Sequence, residues 1–150
     1  MMKTLLLSLM GLTCFANLSM ASDGHNHEAA VEAAPLGGTL RDSPPFKSEI
    51  IIKDDTVKLY VYDQKLKVLK LDKDTLKGDV QFPRADKPTP IVFKKVKEEK
   101  PKEIKNVGTI TERYETKVAG IDKTHRYDMH VELEVGGKKA KADFGIDNIH

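Results

Sequence analysis

The sequence predicts an all-β fold, an immunoglobulin-like antiparallel β-sandwich of about seven strands behind a disordered N-terminal leader. Three observations predict it. From Leu36 onward apolar and β-branched residues recur with a period of two, the spacing that sends alternate side chains to opposite faces of a strand. Helix signals are nearly absent after Pro35. Prolines and a Gly-Gly pair break the runs into short segments, the punctuation of a small antiparallel domain. A chain of 150 residues suits one such domain.

Residues 1–21 read as a secretory signal peptide. Lys3 opens it, an apolar run covers 5–18, and Ser19-Met20-Ala21 offers small residues at the −3 and −1 positions of a cleavage site after Ala21. Ser8, Thr13 and Asn17 interrupt that run, so it makes a poor membrane span, and no other stretch approaches the ~20 apolar residues a spanning helix needs. Lipid attachment at Cys14 would require a small residue before it, where Thr13 stands. The expected location is therefore periplasmic or secreted. Cleavage removes the only cysteine, leaving a mature chain without disulfides, thiolate ligands or a cysteine nucleophile.

Residues 22–35 read as a flexible, histidine-containing leader closed by Pro35, with no sustained apolar face. The domain proper is expected over 36–150. Glu49-Ile50-Ile51-Ile52 and the run 56–62 form a hairpin around Lys53-Asp54-Asp55, with Val57, Leu59 and Val61 inward and Lys58, Tyr60 and Tyr62 outward. Weaker strands are expected over 66–71 and 76–82. Pro83, Pro88 and Pro90 mark a loop before Ile91-Val92-Phe93, and the charged stretch 94–103 reads as a second loop. Residues 109–118 alternate again. The strongest pattern is 125–135, with Tyr127, Met129, Val131, Leu133 and Val135 inward. Gly136-Gly137 is a two-residue turn that tolerates positive φ, leading to a last strand through Ala140, Ala142, Phe144 and Ile146.

Charge excludes several classes of partner. Lys3 is the only charged residue of the signal, so cleavage lowers the net charge from +2 to +1. Balanced surface charge is not the electrostatic footprint of a nucleic-acid or membrane-surface binder. Enzyme signals are equally scarce. Only Ser22, Ser43 and Ser48 survive cleavage, none within Gly-x-Ser-x-Gly, and there is no phosphate-cradling glycine loop and no His-Glu-x-x-His. The carboxylates are expected on exposed strand faces and in turns. No catalytic activity is expected.

The histidines carry the remaining chemistry. His25 and His27 flank Asn26, beside Asp23 and Glu28. Two imidazoles on one short segment can close around Cu(II) or Zn(II), with carboxylate or water completing the shell. Cleavage after Ser22 instead would give Asp23-Gly24-His25, whose amine, two amides and imidazole form a square-planar nitrogen set suited to Cu(II) or Ni(II). A second, weaker constellation is His130 with Asp128 and Glu132 on one outward strand face. His125 falls on the opposite face from His130 and cannot chelate with it. Met129 points inward, and His150 ends the chain.

Several short motifs have precedent. The His25-x-His27 leader, Pro35-Leu36-Gly37-Gly38, the Glu49-bearing strand and Leu59-Tyr60-Val61-Tyr62-Asp63 resemble small periplasmic proteins and domains associated with heavy-metal efflux systems. The segment 127–135, the Gly-Gly turn and Ala142-Asp143-Phe144 are similar to the closing strands of FixH- and YtkA-like sandwich modules. The likeness spans most of 24–146. It implies a sandwich fold and a metal-handling role in the envelope, with His25 and His27 as ligands and an efflux component or another periplasmic protein as partner. The chain departs from the pattern at Leu36, where the family has histidine before Gly-Gly, so only His25 and His27 carry over.

The expectation is thus a non-catalytic periplasmic metal-binding accessory protein, linked to copper or zinc efflux or tolerance. The alternative is a metal-free β-sandwich interaction module of the cell envelope, using sheet edges or a Tyr60/Tyr62 face to meet another protein.

Overall fold

The computed structural model describes residues 32–123 and 126–147. They form eight strands: β1 (Thr39–Ser43), β2 (Phe46–Lys53), β3 (Thr56–Asp63), β4 (Thr75–Gln81), β5 (Thr89–Ile104), β6 (Gly108–Lys117), β7 (Arg126–Val135) and β8 (Lys138–Asp147), with one 3-10 turn at Ile121–Lys123. The fold is all-β. All eight strands belong to one antiparallel sheet in the order β1-β2-β3-β6-β5-β4-β7-β8.

This architecture differs from the expected seven-stranded sandwich. A sandwich needs two sheets with open edges between them, whereas here β3 bonds to β6 and β4 bonds to β7, so the ladder runs unbroken. The sheet curls until its two edge strands, β1 and β8, lie side by side. Sandwiches and curled sheets share the same alternation of apolar and polar residues, and what separates them is which strands neighbour one another. The seam is bridged by a side chain, the Arg41 guanidinium donating to the Gly145 carbonyl at 3.0 Å.

The concave face holds the main core. Phe46 and Ile50 of β2, Val57, Leu59 and Val61 of β3, Phe93 of β5, Tyr114 of β6, the five alternating residues of β7 and Phe144 of β8 are all buried there. An eight-stranded sheet curled nearly to closure leaves room inside for little more than its own side chains. Two long connections at opposite ends of the curl bring in more: Leu71 from the β3–β4 crossover, and Val118 and Ile121 from the β6–β7 crossover.

Most expected elements are present. The 49–62 hairpin closes with Lys53 opposite Thr56. The Gly136-Gly137 turn has φ of 58° and 73°, between Val135 and Lys138. Three expectations fail. Pro90, expected in the loop, lies within β5 opposite Asp79. Residues 66–71 make only an isolated bridge, Tyr62 to Val68, because this segment spends its length crossing to β4. The charged stretch 94–103 is not a loop but part of β5, paired with β6 and interrupted by a bulge in which Glu98–Pro101 face a single β6 residue. Ladder bonds hold it extended, and most of its side chains stay in water.

Truncation inside the curl should be costly. Leu59→Ala is expected to lower unfolding stability by about 2–5 kcal/mol, whereas Val92→Thr, at a site 49% exposed, should stay within ~0.5 kcal/mol. Urea denaturation of both variants checks this.

Candidate functional site

A second cluster lies on the convex face of the same sheet. Tyr60, Tyr62, Val107 and Ile110 are buried there, with Leu36, Leu40, Ile51, Leu66, Val68 and Ile104 packed around them. Tyr60 and Tyr62 point away from the main core, as alternation requires. They are nevertheless 2% and 1% exposed. The expected open tyrosine face is therefore covered by the chain itself. The cover is supplied by the 34–40 segment, the 63–68 loop and the distal β5–β6 hairpin. β3 pairs with β6 only from Thr56 to Leu59, which frees the distal part of that hairpin to fold across the face.

Glu49 sits at the centre of this face and is fully buried. Its carboxylate has no ion-pair partner among the described residues; it is satisfied by neutral donors. Oε1 accepts the Leu36 N–H at 3.1 Å and the Gly38 N–H at 2.7 Å. Oε2 accepts the Leu36 N–H at 3.2 Å and the Tyr62 hydroxyl at 2.9 Å. The Leu36 and Gly38 amides, on either side of Gly37, converge on one anion in the manner of a nest. The local sequence builds it. Pro35 begins a turn closed by the Gly37 N–H on the Ala34 carbonyl, and Gly37 takes a φ of 78°. At Gly38 the backbone runs so near β2 that a Cβ would lie 2.3 Å from the Ile50 carbonyl oxygen. Asp63 then shapes the adjoining loop, its carboxylate accepting the Lys65 and Lys67 N–H groups at 2.8 Å each.

A second buried carboxylate adjoins the first. Alternation along β5 puts Glu98 on the convex face, where it accepts the Tyr60 hydroxyl at 2.9 Å and meets Arg113 at 3.0 Å. Arg113 also binds Glu115 at 2.7 Å. Burial works against its charge, but these two carboxylates outweigh burial and hold the guanidinium protonated. The expectation that acidic residues occupy exposed faces thus fails at Glu49 and Glu98. Alternation gives a side chain's face, but not what another segment later lays over it.

The sequence-predicted ligands are differently placed. His25, His27, Asp23 and Glu28 lie outside the described residues, as do His125 and His150. Asp128 and Glu132 flank His130 on the convex face of β7. The imidazole, however, is engaged across the strand pair, its Nδ1 2.5 Å from Asp143 Oδ1. Asp79 lies opposite His130 on the other side, and its Oδ1 is buried without a hydrogen-bond partner among the described residues. Among the described residues no three His, Cys, Asp or Glu side chains converge to hold a metal ion. Leu36, where the resembled family has histidine, packs against the tyrosine cluster while its amide binds Glu49.

Sequence reasoning missed the Glu49 site. A glutamate directly before three isoleucines is the available signal, since its neighbours belong to a buried strand.

All four tyrosines of the chain are pushed up. Burial, then the Glu49 charge and the hydrogen bond to it, raise Tyr62. Burial and Glu98 raise Tyr60, and burial takes Tyr114 and Tyr127 to about 12. The folded chain therefore holds these protons more tightly than the unfolded chain, whose tyrosines titrate near 10. The stability this contributes is complete below pH ~10 and is lost as pH rises through the folded values. Absorbance at 295 nm should stay flat through pH ~10 and rise only as ellipticity falls; a tyrosine titrating normally in the folded state would contradict this. Tyr62→Phe should cost about 1–3 kcal/mol, by leaving Glu49 short of a donor, as measured by urea denaturation.

No protein-family model, curated protein or solved structure matches the chain.

Proposed function

We propose that this is an exported, non-catalytic metal-binding accessory protein. Its leader captures divalent copper or zinc through His25 and His27, with Asp23 or Glu28 supporting, and the β-domain is the carrier that presents the leader to an envelope efflux component. The observation that carries this reading is the His25-Asn26-His27 pair, which precedes a segment fastened to the sheet. Two further features support it. Three motif residues of the resemblance, Gly38, Glu49 and Tyr62, are joined by hydrogen bonds rather than scattered. In the described domain the strongest alternative ligands are already engaged, Glu49 and Glu98 by tyrosines and His130 by Asp143.

Imidazoles bind metal only when neutral, so affinity should fall as pH drops below about 6.5. Ordering two ligands on one short segment costs conformational entropy, which keeps affinity modest.

A metal-free assembly module is the second reading. The covered Tyr60/Tyr62 face does not favour it, but the β1–β8 seam does. There the two edge strands are not laddered to each other, and a groove of about 260 Å³ runs between Gly38, Thr39, Ile50, Ile52, Tyr127 and Ile146.

Calorimetric titration of Cu(II) and Zn(II) into the chain lacking residues 1–21 separates the two. Binding at pH 7.5 that disappears in a His25→Ala/His27→Ala variant and persists in His130→Ala is the expected result. Identical isotherms for the parent and the leader variant would remove the leader from the account.

A further inference from the structure

We propose that residues 34–40 are a strap that opens as a unit separate from the β-domain, with Glu49 as its latch. In the closed state the strap covers the Glu49–Tyr62 side of the convex cluster, an autoinhibitory contact that decides when Tyr62 reaches the surface, while Tyr60 stays under the β5–β6 hairpin. The proposal does not depend on metal binding.

Separateness follows from the two clusters. The concave core and the convex cluster share no residue, and the β2–β3 ladder stands between them. Lifting the strap opens the convex cluster without touching Leu59, Val61 or Phe144. Regions with few apolar contacts and little ladder bonding open at lower free energy than the global transition. The strap fits that description. Its apolar anchors are Leu36 and Leu40, both only part-buried, and strand pairing begins at Thr39.

The latch follows from the chemistry of Glu49. A buried carboxylate must be hydrogen-bonded or hydrated. Here two of its three donors, the Leu36 and Gly38 amides, belong to the strap, while the third, Tyr62, belongs to β3. Among the described residues no cation holds the charge in place. When the strap leaves, water takes over the two amide positions and the carboxylate recovers its hydration. The closed state is therefore a narrow balance between protein donors and water, and anything that weakens the carboxylate as an acceptor tips it open. Glu49→Gln does so with little change of shape: it removes the charge and replaces one acceptor oxygen by a donor group.

Residue-resolved amide hydrogen exchange on the chain lacking residues 1–21 tests this, comparing the parent with Glu49→Gln and Gly38→Ala. The second variant pushes from the other side, since its Cβ would meet the Ile50 carbonyl oxygen at 2.3 Å while Glu49 stays intact, and it serves if Glu49→Gln fails to fold. The expected result in both variants is exchange at the amides of positions 36 and 38 faster by about tenfold or more, with Leu59, Val131 and Phe144 unchanged. Nitration by tetranitromethane should rise at Tyr62 and not at Tyr127. Acceleration of strap and domain amides together would show one cooperative unit and overturn the strap. Unchanged exchange at Leu36 and Gly38 in Glu49→Gln would overturn the latch.

Discussion

A carboxylate taken out of water must find donors for its oxygens, and in this chain that requirement falls on Glu49. Much of the convex face can be derived from it. Two donors come from the backbone at Leu36 and Gly38, so the chain must turn sharply there, and Gly37 supplies the positive φ. The turn must also lie almost on top of β2, which only a residue without Cβ permits at Gly38. The third donor, Tyr62, must face the same side of the sheet as Glu49. The β2–β3 register, which pairs Glu49 with Tyr60 and Lys47 with Tyr62, sets that geometry.

The same sheet thus carries two cores of different character. Its concave side is apolar and filled, as a small, nearly closed sheet demands. Its convex side is amphipathic, with two tyrosine–carboxylate pairs roofed by turns and by the distal β5–β6 hairpin. Alternation along β5 brings Glu98 to Tyr60 and Arg113. Glu49, Glu98 and the Tyr60 and Tyr62 hydroxyls are tolerated there because each has its partner, which makes the arrangement sensitive to loss of any one of them.

Legibility in the sequence follows the range of the interaction. Period-two patterning and turn chemistry are local, and they locate β2, β3, β4, β7 and β8, the inward residues of β7, and the Gly136-Gly137 turn. Strand neighbours are not local: nothing in residues 56–63 says that β6 lies beside them, so one continuous curled sheet and two stacked sheets look alike in the pattern. The charged segment 94–103 has the composition of a loop because ladder bonds leave no trace in composition. Glu49 and Tyr62 are visible as motif residues, but the amides that complete and cover their contact come from a turn 11 to 13 positions upstream of Glu49. His25 and His27 remain a sequence argument, outside the described residues.

The claim on which the convex face rests is that Glu49 and Tyr62 stabilise the fold through each other. A double-mutant cycle with Glu49→Gln and Tyr62→Phe, read by urea denaturation, measures that coupling directly. A coupling of about 1 kcal/mol or more, with the double variant less destabilised than the two single changes together, is the predicted outcome. Additive losses within ~0.3 kcal/mol would mean that the two side chains act independently, and would contradict the account.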